Sequence, residues 1–168
     1  MDFQLSNSDT VKYCPSVAGI VDESTYIIGC YQLVDEGKQI NLSHDQLIKI
    51  NNRLGCLILI KSSKVIFEYD CLDGGVFDLA VVQTDDSTND GNHQFWAAHS
   101  NGSVACYHIT NGSIKFNKSI VSGSSMLCSL TILDDLIFVG DSESKVIAIQ
   151  KDKIQINVSS FLDLKIPS

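Results

Sequence analysis

The feature that most constrains this chain is a set of four short strands that recurs about every forty residues. Its apolar runs are rich in Val, Ile, Phe and Tyr and are bounded by Gly, Asn, Asp and Ser clusters, the signature of strands joined by tight turns. In the clearest copy the strands are 75–83 (G-V-F-D-L-A-V-V-Q), 94–99 (Q-F-W-A-A-H), 104–109 (V-A-C-Y-H-I) and 114–118, with S-N-G-S and N-G-S as turns. The next copy reads 125–133, 136–140, 146–150 and 153–158. Val104 and Val146 hold equivalent places just after the second turn, 42 residues apart. Four strands in such a period are one blade of a WD-type β-propeller. Long helical periodicity is absent; only 40–50 (I-N-L-S-H-D-Q-L-I-K-I) suits a short helix, with Ser43 as its cap.

The first copy fits once an insertion is removed. Its strands are expected at 9–15 (D-T-V-K-Y-C-P), which Pro15 ends, then 25–33, 55–60 and 65–69. Leu57 to Val104 is 47 residues, lengthened by D-D-S-T-N-D-G-N at 85–92, and loops absorb extra length at small entropic cost. The expected fold is all-β: an incomplete WD40-like propeller of about three four-stranded antiparallel blades within 1–168. Blade one spans about 9–70 with insertion 34–52, blade two about 75–118 and blade three about 125–158. The W-D dipeptide of such repeats is missing, with Tyr107 in the tryptophan place and Asn101-Gly102 in the turn; an antiparallel sandwich is the alternative.

With 12 Lys+Arg against 20 Asp+Glu the formal charge is −8, which gives a phosphate-tracking surface no support and argues against nucleic acid as partner. Residues 1–9 lack a basic segment followed by a long apolar one, and no run has the length of a membrane span. The expectation is a soluble cytoplasmic protein without membrane contact. Six cysteines (14, 30, 56, 71, 106, 128) contain no C-x-x-C, so buried free thiols are expected rather than disulfides or zinc. The N-x-S sequons at Asn41, Asn101, Asn111, Asn117 and Asn157 read as turn composition. No phosphate-cradling loop, metal cluster or cofactor fingerprint occurs, and no cofactor is expected.

Two stretches go beyond the period. D-T-V-K-Y-C-P, then G-C-Y-Q-L at 29–33, then a polar insertion and R-L-G-C-L-I-L-I at 53–60, resembles the opening blade of the WD-repeat diphthine methyl ester hydrolase (diphthine methyltransferase) family of diphthamide biosynthesis. V-F-D-L at 76–79 and S-N-G-S-V at 100–104 are compatible with its second blade, so the resemblance covers about 9–109. It implies a carboxylic ester hydrolase that removes the methyl group of methylated diphthine on elongation factor 2, releasing methanol, with that factor as protein substrate. The alternative is a non-catalytic WD-repeat scaffold for protein–protein interaction.

Ester hydrolysis needs a nucleophile or activated water, a base and oxyanion donors. No G-x-S-x-G elbow is present. The four histidines are the base candidates. His99, at a strand end before S-N-G-S, and His108, beside Tyr107, are read as hydrogen-bonded structural imidazoles; His93, placed in a polar loop, and His44, in the insertion, are read as solvated. Asp78 is read as an inner-strand carboxylate that holds its blade together. Cys30 and Cys56 lack neighbours in sequence that would activate a thiol. The catalytic residues are therefore unknown from the sequence. Asp85-Asp86 and Asp134-Asp135 are read as solvated charges that can alternatively steer a basic partner. Three blades leave two outward apolar sheet faces, so a fragment of a longer protein is expected.

Overall fold

The computed structural model describes residues 11–34, 43–82, 92–121 and 123–151. Eleven strands and one helix follow in chain order: β1 (Cys14–Ile20), β2 (Thr25–Leu33), α1 (His44–Lys49), β3 (Arg53–Lys61), β4 (Lys64–Asp70), β5 (Val76–Val82), β6 (His93–His99), β7 (Ser103–Thr110), β8 (Ser113–Val121), β9 (Leu127–Leu133), β10 (Leu136–Asp141) and β11 (Val146–Gln150). They form three antiparallel sheets ordered β1-β2-β3-β4, β5-β6-β7-β8 and β9-β10-β11. β5 packs beside β1 on one side and β9 on the other, so the first strands of successive sheets lie together. The result is an incomplete WD40-like propeller, all-β apart from α1 among the described residues.

The ladders give the repeat its register. Each first strand carries one unpaired extra residue, Ser16, Phe77 or Cys128, and the next residue (Val17, Asp78, Ser129) faces Gly29, Ala98 or Gly140. Those three face Leu57, Val104 and Val146. The positions aligned from sequence thus occupy the same rung in all three sheets. A β-bulge increases local twist, and its recurrence at one rung gives each sheet the same bend near its inner edge.

Two boundaries differ from expectation. β1 begins at Cys14 and runs to Ile20, so Pro15 lies inside it, while residues 9 and 10 are outside the described residues. Proline is tolerated there because β1 is an edge strand and Pro15 sits directly before the bulge. His93 is the first residue of β6, paired with Ile109, rather than part of a polar loop. The strand expected at 153–158 lies outside the described residues, and among those residues the third sheet has three strands.

The helix in the insertion is α1. Ser43 caps it: its hydroxyl accepts from the Gln46 amide while the Gln46 side chain accepts from the Ser43 amide, a capping box that satisfies two otherwise open donors.

Sequence alternation becomes packing between sheets. Ile27, Leu57, Leu59, Leu79, Phe95, Ala105, Tyr107 and Ile109 fill the seam between the first and second sheets. Trp96, Ala98, Val104, Cys106, Leu130, Ile137, Val139, Ile147 and Ile149 fill the seam between the second and third. The second sheet buries both faces, and β6 is accordingly an unbroken buried run from Phe95 to His99. On the outer face of the first sheet Cys30, Cys56 and Ile58 are also fully buried, with Val11 and Tyr13 packed against them. Residues 11–13 thus cover part of this outer face, and Lys12 pairs with Asp70 at 2.7 Å.

Candidate functional site

One end of the molecule collects the β2–β3, β4–β5, β6–β7, β8–β9 and β10–β11 connections. The stretches Y-C-P, Y-Q-L and R-L-G all arrive there. Cys14 of Y-C-P faces Tyr31, and Tyr31, Gln32 and Leu33 of Y-Q-L face Gly55, Leu54 and Arg53 of R-L-G. Residues far apart in sequence therefore occupy adjacent rungs at one corner of the first sheet. Leu33 is exposed, Tyr31 and Arg53 are half-buried, and Tyr31 stacks on Phe77 of the second sheet with ring centroids 4.9 Å apart.

Ser100 organises the backbone beneath this corner. Its hydroxyl donates to the Ile50 carbonyl at 2.8 Å and accepts from the Gly75 amide at 2.9 Å, while its own amide donates to the Gly75 carbonyl at 2.9 Å. Asn51 donates to the Ser100 carbonyl, and Arg53 Nη1 donates to the Asn51 carbonyl at 2.8 Å. Three connections are thereby tied to one buried serine. The approach requires glycine: Gly74 has φ +84°, and a Cβ on Gly55 would lie 2.0 Å from the Gly74 oxygen. The Gly55 of R-L-G is thus demanded by packing.

His99 is fully buried in the same network. Its Nδ1 lies 3.2 Å from the Gly74 carbonyl, which can only accept, so Nδ1 carries the proton and Nε2 accepts from the Tyr107 hydroxyl at 3.0 Å. Burial holds the imidazole below its ordinary pKa, against the opposing charge of Asp73 and the Gly74 hydrogen bond. Both ring nitrogens are committed, and the ring is without solvent contact. His99 is the structural imidazole that the sequence suggested.

Tyr107 explains the missing tryptophan. Its ring stacks on Phe95 at 5.2 Å and meets Tyr69 and Phe116 edge-on, while its hydroxyl reaches His99. Tyrosine supplies the aromatic area and the polar tip at once. Desolvation pushes its phenol far above the ordinary range.

The other candidates separate. Asp78 holds more than its own blade: Oδ1 accepts from the Leu79 amide at 2.9 Å and Oδ2 from the Leu130 amide of the third sheet at 2.7 Å. His108 pairs with Asn117 at 3.1 Å, and His44 is exposed at the start of α1. His93 lines a cleft of about 260 Å³ at the opposite end, with Asp22, Lys61 and Asn111. Asp134 and Asp135 are exposed in the β9–β10 turn, while Asp85 and Asp86 lie outside the described residues. All six cysteines are free, and among the described residues no cluster could hold a metal ion. No described helix is long and apolar enough to cross a membrane. The Ser100 clamp had no distinctive sequence signal beyond its place before Asn101-Gly102, because its partners come from three separate connections.

No protein-family model matches the sequence, and no curated protein matches it significantly. Among solved structures, the WD40 β-propeller domain of Doa1 is similar with a TM-score of 0.50 and 12% identity, over 81% of this chain and 36% of that one. A chain of COPII on membranes, at the outer coat vertex, gives 0.47 and 18% identity over 77% of this chain and 31% of that one. The computationally designed Ika8 protein gives 0.46 and 8% identity over 87% of this chain and 50% of that one. The chain thus spans about a third of the Doa1 chain, and the likeness establishes the WD40-like fold.

Proposed function

We propose that this chain is a protein-docking part of a WD-type propeller, and that its partner is elongation factor 2 carrying methylated diphthine, whose methyl ester the protein hydrolyses in the cytoplasm. The convergence of Y-C-P, Y-Q-L and R-L-G on adjacent rungs of one corner carries this reading. Gly55 is explained by packing, whereas half-buried Tyr31 and Arg53 and exposed Leu33 form a surface at which a protein can dock. The division into three successive blades, each one repeat, belongs to the same proposal. No catalytic residue is assigned.

The test is incubation of the protein encoded by the complete reading frame with elongation factor 2 bearing methylated diphthine. Loss of the mass of one CH2 group from the modified peptide, with methanol released, is the expected result. Binding weakened by Tyr31→Ala and Arg53→Ala without any mass change would leave the second reading, a non-catalytic scaffold, which the committed His99 ring favours. Neither binding nor mass change would defeat both.

A further inference from the structure

Beneath residues 11–13, on the outer face of the first sheet, Cys30 and Cys56 stand directly opposite one another on β2 and β3. Both are free and fully buried. Facing residues of an antiparallel ladder have Cα atoms about 4.5–5.5 Å apart, inside the window of about 4.4–6.8 Å that a disulfide requires. The two thiols interact: the hydrogen bond to Cys30, then burial, pushes the Cys56 thiol far above its ordinary range. Elsewhere in the molecule the free thiols are placed differently. Cys71 and Cys106 are buried in separate seams, and Cys14 and Cys128 are exposed.

Among the described residues, the cover over the pair includes the 11–13 segment. Val11 and Tyr13, with Ile28, Ile60 and Val65, pack against the cluster that holds the pair, and Lys12 fastens the segment by an exposed ion pair to Asp70. Exposed ion pairs hold weakly and are screened by salt, so this segment is a natural site of local opening.

We propose that Cys30 and Cys56 form a redox pair which peroxide converts to a cross-strand disulfide when the 11–13 strap lifts. One thiol, as thiolate, attacks hydrogen peroxide, breaking the O–O bond; a sulfenic acid forms and water leaves after protonation. The second sulfur attacks the first, the S–O bond breaks, and a second water departs. Two thiols are oxidised and one peroxide is reduced. The product closes the loop containing α1 and the 34–52 insertion, fixing the β2–β3 corner on which Tyr31 and Arg53 stand. In a reducing compartment such a bond is transient, as redox-sensing disulfides are.

The experiment uses the chain with exposed Cys14 and Cys128 changed to serine, treated with hydrogen peroxide, alkylated in denaturant and digested with trypsin. The expected result is loss of the mass of two hydrogen atoms, a link between peptides 13–38 and 54–61 that dithiothreitol reverses, and a higher urea midpoint for the oxidised chain. Links to Cys71 or Cys106, addition of oxygen without a link, or an unchanged mass would each overturn the pairing. Tyr13→Ala is expected to accelerate the reaction severalfold with unchanged far-ultraviolet circular dichroism. An unchanged rate would overturn the role of the strap. All of these readouts are independent of elongation factor 2.

Discussion

The two seams between sheets solve one packing problem by different means. Between the first and second sheets, an aromatic cluster around Tyr107 is joined to a buried polar network through His99, Ser100 and the Gly74–Gly75 backbone. Between the second and third, the contact is mostly aliphatic around Trp96, and the Trp96 indole N–H has no hydrogen-bond partner among the described residues. One carboxylate, Asp78, spans that seam. The first seam is fixed by direction and the second by shape. The difference places the hydrogen-bonded seam beneath the corner where Y-C-P, Y-Q-L and R-L-G meet.

Removing the aromatic anchors should produce the largest effects. Tyr107→Ala and Trp96→Ala are each expected to cost about 3–5 kcal/mol in urea unfolding, since both rings are almost fully buried. These substitutions would not distinguish the seams. Tyr107→Phe would, because it keeps the ring and leaves His99 Nε2 without its donor, an expected loss of about 1–3 kcal/mol. A Phe variant as stable as the parent would mean that the first seam, too, is held by shape alone.

Asp78 tests the second seam from the other side. Asp78→Ala removes the acceptor of both the Leu79 and Leu130 amides and is expected to cost about 1.5–3 kcal/mol, the range for hydrogen bonds to a charged group. Asp78→Asn keeps one oxygen and should recover part of that loss. If both variants unfold at the parent's urea midpoint, the aliphatic packing suffices.

The seams also differ in acid response. His99 is neutral in the folded chain, and burial lowers its pKa below the unfolded value. The unfolded chain therefore binds the proton first. The stability contributed by the neutral ring is fully present above the unfolded histidine pKa of about 6.5 and falls as pH drops below it, by at most about 1.4 kcal/mol per pH unit. Urea midpoints between neutral pH and pH 5 should show this slope in the parent and a reduced slope in His99→Gln. Equal slopes would remove His99 as the source.

How much of this could be read beforehand follows from the range of each interaction. The register linking Leu57, Val104 and Val146 was legible because turns and alternation are local, and the ladders keep it. Ser43 announced the helix for the same reason. Asp78 was legible as a structural carboxylate, but its partner, the Leu130 amide, lies in another repeat, so its reach across the seam was not. The Ser100 clamp and the strap at 11–13 depend on which connections and faces meet in space. Pro15 misled because proline often ends a strand, whereas an edge strand beside a bulge accommodates it.

The smallest effect compares the latches on the first strands. The Ser16 hydroxyl lies 2.5 Å from the Val76 carbonyl and 2.8 Å from the Gly29 carbonyl, sharing one proton between them, so it joins the first sheet to β5 much as Asp78 joins β5 to β9. A neutral hydroxyl contributes less than a carboxylate and Ser16 is exposed, so Ser16→Ala is expected to cost about 0.5–1.5 kcal/mol. Ser16 bonds the Val76 carbonyl two residues from Asp78 on β5, so losses that add to within about 0.5 kcal/mol in the double variant with Asp78→Ala would mean that the two latches act independently despite that nearness. A larger coupling would mean that β5 passes strain from one seam to the other, and that the two seams respond as one unit.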